Sequence, residues 1–279
     1  MVRSRCETEV SVVNIYKITR LNRPLSWRLT SNRIAILGSV AAGAIALGWW
    51  YFSRDKWQIF AAALVGVSAF IAWAVARELD PDRPRTATLA MILATVGAFG
   101  PWEPALLVSA IALVGLRVLA GTVGGELKPL DLIVLFGAAA YCGTRVDAWV
   151  VVLLLVLAVL DEQPAGYPVA TVGMLLAAAG AGFLTDVDFP DNNMLDEELL
   201  WGLITIAAIA LAIRTTRIRS KTDLYGHSIL WPKVRAARVM AGFVVIGGII
   251  GSDAGTLVLM TPVLAGLVAT ALYRTFRPA

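Results

Sequence analysis

The segment Arg77-Glu78-Leu79-Asp80-Pro81-Asp82-Arg83-Pro84-Arg85 sets three carboxylates within five residues and rims them with three arginines. Hard cations such as Mg²⁺ prefer carboxylate oxygens and are often shared with a substrate phosphate. Glu78, Asp80 and Asp82 could therefore hold a metal while Arg77, Arg83 and Arg85 hold an anionic headgroup. A second acidic pair, Asp161-Glu162, could join the metal set, and Arg117 could join the phosphate set. The same residues also describe a solvated loop with surface ion pairs, each worth ~0–1 kcal/mol. Which description holds depends on whether the elements around them bring the carboxylates together.

Those elements are apolar to an unusual degree. Of 279 residues 58% are hydrophobic, mean hydropathy is +0.74, and soluble domains run at about 45–50% apolar. The excess is gathered into ten blocks: Ile34–Phe52, Trp57–Ala76, Ala87–Gly100, Ala105–Ala120, Leu130–Cys142, Ala148–Leu160, Val169–Leu184, Leu199–Ile213, Val239–Gly251 and Gly255–Leu272. Most are apolar all round, as helices surrounded by lipid or by other buried helices must be. The expected fold is all-α: a polytopic transmembrane bundle of about ten spans in five hairpins, with both termini cytoplasmic. The first two blocks are long enough for a ~30 Å hydrocarbon core, which needs about 20 helical residues. Several others offer roughly 20–24 Å at 1.5 Å per residue and must recruit flanking residues or thin the bilayer. Eight spans with a re-entrant pair is the competing count.

Charge supports ten. Cytoplasmic loops collect lysine and arginine, and ten crossings from a cytoplasmic N-terminus place 21 of the 24 basic residues inside. Arg54, Lys56 and Arg145 remain outside. Residues 1–33 form a basic cytoplasmic segment, in which Val10–Trp27 can lie along anionic headgroups. Residues 34–279 form a single transmembrane domain with a basic loop over 214–238. The first block follows a long basic stretch and reads as an uncleaved anchor. The outer loop Thr185–Glu198 carries six acids and no base, a cation-sensing surface in a third reading. Trp49, Trp50, Trp57, Trp102, Trp149 and Trp201 fall near outer span ends, where indole rings sit well.

Other signals are structural. Gly247, Gly251 and Gly255, and Gly38, Gly43 and Gly48, suit close helix packing in lipid. Arg117 near the end of one block and Asp131 at the start of the next are expected to pair. Arg145 and Asp147 read as outer rim groups. The link Gly121-Thr122-Val123-Gly124-Gly125 lacks the lysine of a phosphate loop and reads as a turn. Cys6 and Cys142, on opposite sides, cannot pair within the chain, and the lone His227 excludes a multi-imidazole site. No block has a central charge of the kind ion-coupled transporters use. Topology explains the basic charge, so nucleic acid is not an expected partner.

In placement, Glu78, Asp80 and Asp82 with Asp161 and Glu162 resemble the two aspartate-rich motifs of intramembrane aromatic-acceptor prenyltransferases, after their second and sixth spans. Arg23-Pro24-Leu25-Ser26-Trp27 is similar to that family's lead-in to its first helix. The resemblance implies Mg²⁺ and a prenyl pyrophosphate at the inner face. The family pattern includes an asparagine and spaces its aspartates by three or four; here the acids alternate with other residues, one a proline, and the second cluster is a bare Asp-Glu. Membership is not assigned. The leading expectation is a non-enzymatic membrane subunit, scaffold or lipid/solute carrier without cofactor, contacting the bilayer and its anionic lipids and open to a protein partner or homo-oligomer. The alternative is a Mg²⁺-dependent enzyme acting on a polyisoprenyl or phospholipid phosphate at the cytoplasmic face.

Overall fold

The computed structural model describes residues 19–21, 25, 27–52, 59–98, 105–162, 168–185, 196–214, 218–223, 225–251 and 260–276. Among these, ten α-helices form and no strand does. They are α1 (Thr30–Phe52), α2 (Ile59–Leu79), α3 (Pro84–Gly97), α4 (Leu106–Ala120), α5 (Pro129–Gly143), α6 (Trp149–Leu160), α7 (Pro168–Leu184), α8 (Asp196–Ala212), α9 (Trp231–Ile250) and α10 (Thr261–Phe276). Each apolar block coincides with one helix. Among the described residues, only α1 and α2, of 23 and 21 residues, are long and apolar enough, by length and composition, to cross a bilayer.

Helix starts follow local chemistry. Proline occupies the first turn of α3, α5 and α9, where its missing N–H costs nothing and its fixed φ suits the helix. That signal moves one boundary. Lys233, Arg235 and Arg238, expected within a loop over 214–238, lie on α9, which begins at Trp231. The Arg77–Arg85 segment is likewise mostly helical. Glu78 lies in the last turn of α2, which ends at Leu79, Pro84 opens α3, and only Asp80–Arg83 link them. The turn Pro101–Pro104, most of the acidic loop, most of Val10–Trp27, Cys6 and Gly255 lie outside the described residues.

Helix α2 is the hub and packs against α1, α3, α4 and α10. The core around α1, α2 and α3 is made largely of alanine, with Ala35, Ala42, Ala62, Ala69, Ala87 and Ala90 all buried. Small side chains let these helices approach closely. At the α1–α2 crossing, a Cβ on Gly66 would come within 2.8 Å of the Ser39 carbonyl oxygen. Between α5 and α7, a Cβ on Gly182 would sit 2.7 Å from the Gly143 carbonyl oxygen. Gly251 plays the expected packing role, since a Cβ there would be 2.7 Å from Asp147 Cα, whereas Gly48 faces open space. A second core joins α4, α5, α6, α9 and α10 through larger residues such as Leu116, Leu135, Leu155 and Leu267.

The outward faces are apolar too. Val169, Phe183, Phe52, Ile133 and Val40 are all exposed. Charged groups such as Glu78, Asp80, Asp131 and Arg238 are buried instead.

Candidate functional site

Except for Asp147, the buried charges gather at one end of the bundle, where the 19–21 segment, the α2–α3 and α4–α5 links, the end of α6, the stretch 218–223 and the end of α10 meet. Glu78, on the last turn of α2, is fully buried. Arg117 Nε donates to its Oε1 at 2.8 Å, and the Thr122 hydroxyl donates to its Oε2. Thr122 reaches it because the α4–α5 link turns through Gly121, Gly124 and Gly125, at φ of 64°, 82° and 83°. Residues with a Cβ seldom adopt these values. Arg117 Nη1 donates to the Leu21 carbonyl at 2.7 Å.

Arg117 therefore does not pair with Asp131 as expected. It faces α2, against which α4 packs, while Asp131 caps the first turn of α5. The Asp131 carboxylate accepts the Lys128 amide at 2.8 Å, the Arg20 amide at 3.0 and 3.1 Å, and the Thr19 hydroxyl. A carboxylate in a first helical turn satisfies free amides and complements the helix dipole.

Asp80 is also fully buried. It accepts Arg274 Nη2 from the end of α10 and Thr86 Oγ1 of α3 at 3.0 Å. Asp82, half-buried, accepts the amides of Arg219 at 3.1 Å and Ser220 at 2.8 Å, and the Ser220 hydroxyl at 2.6 Å. Burial raises the Asp82 pKa, but the Ser220 hydroxyl, the two amides and the charge of Arg274 together outweigh it and hold the group below its ordinary 3.8. A carboxyl depressed in the folded state stabilises it at pH above the unfolded value, and that contribution vanishes as pH falls through the folded value. Protection of the Arg219 and Ser220 amides, taken relative to the intrinsic exchange rate at each pH, should therefore be high at neutral pH and fall as acid protonates the Asp82 carboxylate. Asp82→Asn should speed exchange already at pH 7. Unchanged exchange in that variant would show that another contact holds the stretch.

The remaining candidates take separate partners. Asp161 pairs with Lys233 of α9 at 2.9 Å, and Glu162 with Arg20 at 2.5 Å. Arg77 donates to the Pro81 carbonyl at 3.3 Å, the Arg83 guanidinium lies 5.7 Å from the Tyr273 ring centroid, and Arg85 is exposed. The five acids thus go to Arg117, Arg274, the 219–220 amides, Lys233 and Arg20. Among the described residues, no three His, Cys, Asp or Glu side chains come together in a group that could hold a metal ion.

No protein-family model, curated protein or solved structure matches this chain. Arg238, absent from the expected set, is 1% exposed and donates to the Leu79 and Ala212 carbonyls at 2.7 and 2.8 Å. It sits in the field of Arg274, Asp80, Asp82 and Arg83. Arg20, Arg274 and Thr122 were likewise not singled out from the sequence. A first-turn proline at residue 232 could have flagged Arg238 as helical, but no local pattern announces the others. Towards the other end of α5, Arg145 and Asp147 form a two-pronged pair at 3.0 and 3.1 Å. This arrangement clamps loops and helix ends to one another, and Glu78, Asp80, Asp82, Asp161 and Glu162 each have a partner from another element.

Proposed function

We propose that this chain is a non-enzymatic integral membrane bundle, crossing the bilayer ten times with both termini at the cytoplasmic face, and that it holds or carries an amphiphile within the membrane. The observation that carries the reading is the one-to-one neutralisation of the candidate acids by cations and amides from other elements. A Mg²⁺-dependent enzyme would need several of them free and facing one cavity. The exposed apolar faces support the membrane setting, since soluble monomers rarely leave large contiguous patches of this kind bare. The polar end supports the orientation, because lysine and arginine concentrate at the cytoplasmic side. Helices of 12–17 residues reach only about 18–26 Å, so flanking residues or local thinning complete those spans.

Sided labelling tests the topology. In a background with Cys6 and Cys142 changed to serine, Tyr225→Cys should react with a membrane-impermeant maleimide only in inverted vesicles, and Thr185→Cys only in intact cells. Labelling of both from one side would refute ten crossings. Intact-complex mass spectrometry of the detergent-purified protein tests the role. A retained amphiphile, unaffected by Asp82→Asn, is the expected result. A Mg²⁺-dependent turnover of a polyisoprenyl phosphate that Asp82→Asn abolishes would overturn the non-enzymatic reading.

A further inference from the structure

Two clefts line the α1–α2 pair. One, of about 530 Å³, is bounded chiefly by Val40, Gly43 and Leu47 of α1 and by Ala63, Gly66 and Phe70 of α2. The other, of about 520 Å³, lies at the basic end of the same pair. Ser31 of α1 and Leu29 just before that helix line it on one side, Trp73 and Arg77 of α2 on the other, and Asp223 borders it as well.

Both clefts use one face of α2. Ala63, Gly66, Phe70, Trp73 and Arg77 follow at intervals of three and four, the spacing that stacks side chains along one side of a helix. Phe70 and Trp73 stack at 5.8 Å between centroids where the apolar cleft gives way to the polar one.

Two buried donors beside the polar cleft lack an acceptor, although the Asp223 carboxylate also lines it. Trp73 is 5% exposed, and its indole Nε1 has no hydrogen-bond partner. The Ser31 hydroxyl is buried and equally unpartnered. Buried donors are nearly always paired in native proteins, so two such groups beside one cleft point to an acceptor that belongs there. Arg77 adds positive charge at the same place. Leading away from it, the groove is floored by two glycines and walled by aliphatic side chains. From Trp73 to Ala63 the helix rises ~15 Å, half of a ~30 Å hydrocarbon core and so the depth of one leaflet.

We infer that the α1–α2 face is a phospholipid site. The lipid phosphate accepts from Trp73 Nε1, Ser31 Oγ and Arg77, and one acyl chain lies along the groove over Gly43 and Gly66. The inference rests on the membrane reading above and names the amphiphile. Full-length protein would be reconstituted in nanodiscs of equal parts dioleoyl phosphatidylglycerol and dioleoyl phosphatidylethanolamine, extracted, and weighed intact. The wild type should retain one phospholipid. The double variant Trp73→Phe/Ser31→Ala, which keeps the ring stack but removes both donors, should bind it roughly tenfold more weakly. Ala63→Phe, at an exposed position of the groove, should abolish retention by filling the chain's path. If both variants hold lipid like the wild type while the sided labelling comes out as expected, the site is wrong and the membrane reading survives. If no lipid is retained and inorganic phosphate binds wild type and Ala63→Phe alike, the cleft takes free anions and the proposal is overturned. Failure of the labelling pattern removes the bilayer and the lipid together.

Discussion

Arg117→Met should destabilise the protein by about 3–5 kcal/mol, the usual cost of leaving one member of a buried ion pair behind. Glu78 has 1% of its side chain exposed and Arg117 13%, so solvent screens the pair little. Once the guanidinium is gone, the buried Glu78 carboxylate keeps the neutral Thr122 hydroxyl but loses the cation opposite it. The Leu21 carbonyl loses its donor at the same time. Equilibrium unfolding in mixed detergent micelles would measure the loss. The double variant Glu78→Gln/Arg117→Met should recover much of it, because replacing both charges removes the desolvation penalty together with the attraction. A single-variant effect within about 0.5 kcal/mol, the range of ordinary surface substitutions, would mean the pair is solvated and the clamp illusory.

Arg274→Met should have a comparable effect, again about 3–5 kcal/mol by the same reasoning, but a different local signature. Asp80 is fully buried beneath Arg274, which is itself 7% exposed. This pair ties the end of α10 to the α2–α3 link. Helix α10 packs on α2, α3 and α8, so release of its end should expose that end to protease while α5 and α7 stay protected. Arg274→Lys should restore part of the loss, since an ammonium keeps the charge but not the planar fork. If cleavage spreads evenly over the molecule, or Arg274→Met unfolds no more easily than wild type, the pair does not anchor α10.

The ten helices were legible because run length, apolar content and the charges that interrupt them are local properties. Each block found its helix within about four residues, apart from α10, which begins at Thr261 rather than Gly255, and the start of α9. There, Lys233, Arg235 and Arg238 look like loop residues until Pro232 is recognised as a helix opener. The small-residue positions were legible as a type, yet a Cβ on Gly66 or Gly182 would meet a neighbour's backbone while one on Gly48 would meet open space. Spacing alone does not say which face of a helix will be crossed.

The partners of the charges were not legible. Arg117 and Asp131 are close in sequence, and pairing them was the natural expectation, but Arg117 turns to Glu78 39 residues away. The choice depends on how α4 is rotated against α2, which many apolar contacts settle jointly. Trp73 passed as one more apolar residue in a span, and its unsatisfied donor became visible only with α1 in place. What the chain's own order of residues determines here is where helices run and at which end the cations gather, because both depend on neighbours a few positions apart. Which carboxylate meets which cation, and where donors stay unpaired, was decided by tertiary packing, because burial and partnership join residues separated by up to 194 positions.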